Sequence, residues 1–195
     1  VMLIDVATIG PDYLPGHAHA DTLSFEMSLF NERFLVNCGT SKYEFDEIRL
    51  TERGTANHNT LEINKENSSE VWSSFRVGKR AYPFNLKINK KGESLFVSCA
   101  HNGYIRLNGN PIHHRTWTLS NKRLLIRDNI KGNFKIARSH YHFHPQIKIL
   151  KNYGHKLILR IADKEIDVNL NIIKGIATIK KSMYSPEFGI RIPTN

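Results

Sequence analysis

Cysteine is scarce in this chain, with only Cys38 and Cys99 among 195 residues. Two thiols make no disulfide framework, and no CxxC spacing is present. Both read as buried, inert thiols. Long apolar runs are also missing. Nothing approaches the roughly 20 apolar residues that a membrane-crossing helix needs. No basic segment leads into an apolar one, so no signal peptide is visible. There is no sustained helical periodicity, no sequence repeat and no low-complexity tract. The chain also lacks an RNP-like aromatic motif, zinc-finger spacing and a recognition helix, so nucleic-acid binding has only charge in its favour.

What is present fits one soluble β-rich domain. Hydrophobic residues make up 40% and charged residues 24%, an ordinary globular balance. The net charge of +10, from 28 Lys and Arg against 18 Asp and Glu, attracts polyanions such as nucleic acid, anionic membranes or acidic polysaccharides. The opening "VMLIDVATIGPDYLPG" gives a short strand-like run and then a Pro/Gly loop. It reads like the middle of a chain, so a longer protein is expected.

Strand signals dominate. Alternating or β-branched runs occur at "TLSFEMSLF", "RFLVNCG", "NTLEIN", "SSFRVGKR", "SLFVSCA", "HRTWTLS", "RLLIRDNI", "IKIL", "KLILRIA", "IDVNLNII", "GIATIKK" and "GIRIPT". Turn-forming residues punctuate them, as in "NKKGES" and "SNKR". Many short strands with frequent turns predict an all-β, antiparallel sandwich or barrel. The one irregular stretch, "SKYEFDEIRLTERGTANH" over 41–58, is polar and long for a connection, which predicts a functional or partly helical segment.

The stretch "PGHAHADTLSFEM" places His17, His19 and Asp21 at steps of two ahead of an apolar run. On a strand these side chains share a face. An HxH pair offers two imidazoles to a metal or a substrate. His58, in "GTANHNTLEI", opens another strand signal. A zinc site can be built from His19 and His58 plus an oxygen donor, for which Asn37, Asp21 and water are candidates. Tyr43 lies in the irregular segment among charged neighbours, where a phenol can act as general acid or base. The other close histidines, His142 with His144 and His113 with His114, are read first as structural or surface residues.

Taken together, "GHAHAD" followed by "SFE", "VNCGTSKY" and "GTANHNT" resemble the C-terminal β-domain of the heparinase II/III family of polysaccharide lyases. Weaker likenesses follow at "HNGYIRL", "HHRTW", "RDNIKG", "HFHP" and "YSPEFGIRIP", so the resemblance spans nearly all of the chain. It implies a large antiparallel β-sandwich occupying residues 1–195, the C-terminal half of an enzyme whose N-terminal α/α toroid supplies the rest of the active site. It implies β-elimination on a uronic-acid polysaccharide. A base takes the C5 proton, and the C4 glycosidic oxygen leaves. By position, His17 matches the catalytic histidine of the β-domain and Tyr43 is the candidate for its catalytic tyrosine, with Tyr13 and Tyr141 as alternative phenols. His19 and His58 match two ligands of a structural zinc. Asn37, in "VNCG", stands where the family often has an aspartate as the third ligand. Asp21 is expected to orient an imidazole.

The resemblance also gives the basic balance a purpose, since a groove lined by cations steers an anionic glycan. Lys42, Arg49, Arg53 and Arg115 are candidates, with His114 beside Arg115. A periplasmic or cell-envelope location is implied. A non-catalytic glycan-binding or structural sandwich associated with exopolysaccharide or capsule synthesis remains the alternative.

Overall fold

The computed structural model describes residues 1–121, 123–169 and 175–194. In chain order the strands are β1 (Met2–Ile4), β2 (Phe25–Leu29), β3 (Glu32–Leu35), β4 (Leu61–Ile63), β5 (Val71–Trp72), β6 (Arg76–Val77), β7 (Pro83–Lys91) and β8 (Ser94–His101). They continue as β9 (Ile112–Ser120), β10 (Arg123–Lys131), β11 (Ala137–Ser139), β12 (Lys148–Asn152), β13 (Lys156–Ile161), β14 (Lys164–Asn169), β15 (Ser182–Tyr184) and β16 (Ile192–Thr194). A short helix α1 (Glu47–Arg53) and a 3-10 turn (Thr55–Asn57) lie between β3 and β4.

All pairings between these strands are antiparallel. Three sheets share the main core. They have the orders β1-β2-β3, β10-β9-β8-β7 and β12-β13-β14. Phe25, Phe34 and Leu35 come from the first, Val97, Cys99 and Trp117 from the second, and Leu157, Leu159 and Ile161 from the third. Fully burying each such aliphatic or aromatic side chain is worth about 1.5–3 kcal/mol. This shared core stacks the sheets as an antiparallel β-sandwich. A smaller core of Leu61, Ile63 and Tyr104 lies beneath the β4–β11 pair, and the Tyr104 hydroxyl donates to the Leu61 carbonyl at 2.8 Å.

The period of two is plain in β9, where His113, Arg115 and Trp117 are buried while His114, Thr116 and Thr118 turn outward. Most of the expected strand segments contain a strand, and 41–58 is partly helical as expected. Two differences stand out. β7, "PFNLKINKK", is an edge strand exposed along nearly its whole length, so burial imposes no alternation on its sequence. "GIATIKK", residues 175–181, forms no strand despite its β-branched residues. The end of "IDVNLNII", residues 170–173, lies outside the described residues.

Candidate active site

The histidine-rich stretch is a loop, which corrects the expectation of a strand face. β2 begins only at Phe25, and Leu23 has a φ of 63°, which breaks the alternation between the histidines and the strand. The loop separates the three side chains that a strand would have aligned. His17 is exposed and His19 is half-buried and turned inward. Asp21 makes no hydrogen bond to an imidazole among the described residues. Burial and the neighbouring Asp5 push its carboxyl up to about 7. The expected role of Asp21 in orienting an imidazole therefore has no geometric basis here.

Helix α1 fixes this loop. Asp46 caps it by accepting the Arg49 backbone N–H at 2.9 Å, and Lys42 is paired to Asp46 at 2.5 Å. At the i, i+3 and i+4 positions that share a helix face, Arg49, Glu52 and Arg53 all turn inward and are buried. Glu52 holds the segment before the helix, accepting from the Ser41 N–H at 3.0 Å and the Ser41 hydroxyl at 2.5 Å. Arg53 donates from Nε and Nη2 to the Ala18 carbonyl at 3.1 and 3.0 Å. Its remaining N–H groups reach the carbonyls of Ser73 at 2.9 Å and Arg76 at 3.1 Å in the β5–β6 hairpin.

On the outer side, His17 meets Tyr43. Their ring centroids are 5.4 Å apart in an edge-on arrangement. Phe75, in the β5–β6 turn, lies 5.5 Å from the His17 ring and 5.4 Å from the Tyr43 ring. Phe188 also packs against Tyr43, tilted, with ring centroids 4.9 Å apart. The Arg49 guanidinium lies 5.3 Å from the centre of the Tyr43 ring and donates to the Ser74 carbonyl at 3.2 Å. A cation near a ring is attracted to its face. Tyr43 is thus held by Arg49 and two phenylalanines and is still 42% exposed beside an exposed imidazole, so both can reach a ligand. Phe75 and Phe188 were not foreseen, because a single aromatic in a turn carries no spacing signal.

On the inner side, His19 and His58 face each other with ring centroids 5.3 Å apart. His58 is fully buried, and among the described residues neither ring nitrogen has a hydrogen-bond partner. A buried polar atom without a partner costs about 1–3 kcal/mol, so an imidazole with two such atoms fits a metal-binding role. Burial holds His58 well below its usual titration range. Burial, reinforced by Arg49, Arg53 and His17, pushes His19 down to about 4. Both rings are therefore neutral near pH 7, the form that ligates metals.

Asn37 and His19 line one cavity of about 320 Å³ with Thr40 and Tyr184. The Asn37 side-chain oxygen accepts the Gly39 N–H at 3.2 Å and keeps a second lone pair. Gly39 is required in that turn. Its φ is +80°, and an added Cβ would lie 2.1 Å from the Ser185 carbonyl oxygen. Among the described residues no three His, Cys, Asp or Glu side chains cluster with metal-ligand geometry.

Two further expectations are corrected. Arg53 and Arg115 are both fully buried, so neither lines a groove open to substrate. Arg115 donates to Asp128 at 2.6 and 2.9 Å, and to the carbonyls of Asn59 at 2.6 Å and Leu23 at 3.0 Å. Asp128 also receives His113 Nε2 at 2.7 Å, and His113 Nδ1 is 3.2 Å from His101 Nε2. Arg53 and Arg115 are internal cross-links rather than groove-lining charges. His114 lies on the opposite face of β9 from this network. Tyr13 is 88% exposed in a loop, and Tyr141 packs its ring on Phe25, so neither joins the His17–Tyr43 cluster.

Comparisons with known proteins agree with this architecture. The family model described as "Heparinase II/III-like, C-terminal" matches residues 1–195. No curated protein sequence matches the chain. Among solved structures, the heparan sulfate lyase HepC from Pedobacter heparinus superposes with a TM-score of 0.77 at 17% identity, covering 98% of this chain and 29% of that one. A structure described as the heparinase III-BT4657 gene product gives a TM-score of 0.77 at 16% identity over 98% of this chain and 28% of that one. At these identities the likeness is one of fold, and the chain spans less than a third of either solved protein.

Proposed function

Because the chain belongs to the family of heparinase II/III-like C-terminal domains, we propose that it is the β-sandwich part of a polysaccharide lyase that cleaves uronic-acid-containing polysaccharides by β-elimination. The observation that carries this reading is the contact between His17 and Tyr43 at an exposed rim, 5.4 Å between ring centroids. An elimination needs two proton-transfer groups on neighbouring positions of one sugar linkage. One group takes the C5 proton. The C–H electrons become the C4–C5 double bond, the C4–O bond breaks, and the other group protonates the departing glycosidic oxygen. An imidazole and a phenol serve as this pair. The uronate carboxylate must be neutralised for C5 to acidify, and this falls to cationic or hydrogen-bonding groups of the toroid half.

His19 and His58 would hold a zinc ion, with the Asn37 side-chain oxygen or water completing the set. Bound there, the ion supplies a structural cross-link between the histidine loop and the strand after the 3-10 turn. Arg53 and Arg49 position the pair from beneath. A periplasmic or cell-envelope setting suits such a substrate.

The test uses the full-length protein carrying this domain, incubated with a panel of uronate polysaccharides including heparan sulfate and alginate. Absorbance of the unsaturated uronate is followed. Product from one glycan, lost in both His17→Ala and Tyr43→Phe while their thermal unfolding matches the parent, supports the lyase reading. Silence across the panel from folded protein favours the non-catalytic glycan-binding sandwich, a reading to which the neutral Asn37 lends some weight.

A further inference from the structure

The sequence carries a strong positive surplus, yet three of the arginines read as groove-lining, Arg49, Arg53 and Arg115, are buried. The outer face of the β10-β9-β8-β7 sheet is a second place where cations gather. Its core-facing side chains are Val97, Trp117 and Ile126, so the residues between them point outward. The register aligns Lys87, Ser98, Thr116 and Arg127 in one row across the four strands. Four residues along the edges, Lys91 on β7 and Arg123 on β10 repeat the arrangement, with Ser120 opposite Arg123.

This face is a shallow trough. Its two inner strands present Ser94, Ser98, Thr116, Thr118 and Ser120 around Phe96, and its two outer strands present the four cations with Asn89 and Leu125 between them. The rows of cations are about 14 Å apart across three strand spacings, and about 13 Å separates the cations along each edge. All four cations are exposed, and none forms an ion pair among the described residues. The only carboxylate on the four strands is Asp128, which is turned inward to Arg115 and His113. Phe96, 37% exposed on the floor, offers an apolar ring to the C–H face of a sugar.

We propose that this sheet face is a second binding surface, separate from the His17–Tyr43 cluster, that holds a segment of anionic polysaccharide between the Lys87–Lys91 and Arg123–Arg127 edges. Hydroxyl donors on the floor suit sugar hydroxyls, and the paired edges suit carboxylate or sulfate groups on either side of a flat chain. The choice of polysaccharide as occupant rests on the proposed function, but the surface does not depend on catalysis. Its task would be to keep a long polymer on the protein between encounters with the active site.

The test measures binding in the full-length protein carrying His17→Ala, so turnover does not interfere. A quadruple variant, Lys87→Gln, Lys91→Gln, Arg123→Gln and Arg127→Gln, is compared with a charge-matched control, Lys65→Gln, Lys135→Gln, Lys148→Gln and Lys151→Gln. The probes are immobilised heparan sulfate, alginate and duplex DNA at 0.1 M salt. The proposal expects at least one polysaccharide to bind roughly tenfold more weakly to the quadruple variant, against less than about twofold for the control. Equal losses in the two variants would reduce the effect to net charge and overturn the assignment. So would a loss as large for DNA as for the polysaccharide, or no loss at all. Because binding is read directly, the result stands whether or not lyase activity is found.

Discussion

Arg53 donates two hydrogen bonds to the carbonyl of Ala18, the residue that separates His17 from His19. The same guanidinium ties the β5–β6 hairpin, whose turn carries Phe75. One buried cation thereby sets the loop that sends one imidazole outward and the other inward.

Replacing it should be costly in a specific way. Arg53→Met leaves the Ala18, Ser73 and Arg76 carbonyls without their donor, and a loss of about 3 kcal/mol or more in urea unfolding is expected. Arg53→Lys recovers only part of this, because a single ammonium cannot span carbonyls that the planar guanidinium reaches from several edges. A destabilisation below about 1 kcal/mol in the methionine variant would show that the clamp carries little of the loop's stability.

The contrast between what was and was not legible in the sequence follows from this clamp. Strands that bury one face wrote their period into the sequence, as β9 does with His113, Arg115 and Trp117. β7 buries neither face and left no such mark. The pairings of His17 with Tyr43 and His19 with His58 were expected from the family resemblance, and the structure brings both together. The direction of Arg53 and Arg115 was not legible. A sequence shows that an arginine is present, but not that four backbone or carboxylate oxygens surround it, as they do around Arg53 and around Arg115. Their burial depends on loops distant in the chain, such as Leu23 and Asn59 around Arg115.

Asp128 and Arg115 form the second internal cross-link, and their coupling is measurable. Asp128→Asn leaves the buried Arg115 charge without its counter-ion and should cost about 3–5 kcal/mol. A double-mutant cycle with Arg115→Met should show a coupling of about 1–3 kcal/mol. Strict additivity in that cycle would mean that the two side chains stabilise the fold independently.

Acid should weaken the fold through its buried histidines. Burial lowers the titration of His101 and His113, and takes His142 down to about 4. In the unfolded chain these rings take up protons near pH 6.5, while in the folded protein they do not. The unfolded state then binds more protons below that pH, so stability is full above about 6.5 and falls as the pH drops toward the folded-state values. Urea midpoints should decline between pH 7.5 and 5.5. His142→Gln, whose amide can still donate to the Ala56 carbonyl that His142 Nε2 reaches at 2.9 Å, should flatten that decline. An unchanged slope in the variant would remove His142 from the titrating set.

The paired imidazoles of His19 and His58 make a final prediction about metal. If zinc occupies them, it binds only the folded chain and stabilises it by mass action, about 2.7 kcal/mol at a free concentration one hundred times Kd. Chelation should then lower the melting temperature, and added zinc should restore it. Native mass spectrometry should find one ion per chain. His58→Ala should carry no ion and ignore the chelator. Asn37→Asp should resist the chelator better than the parent, because a carboxylate binds Zn²⁺ more strongly than a neutral amide oxygen. Should the parent carry no ion and melt identically with and without chelator, the two partnerless nitrogens of His58 would be an unrelieved cost of the fold. If Asn37→Asp alone then bound the ion, the single amide at position 37 would be the reason the parent does not.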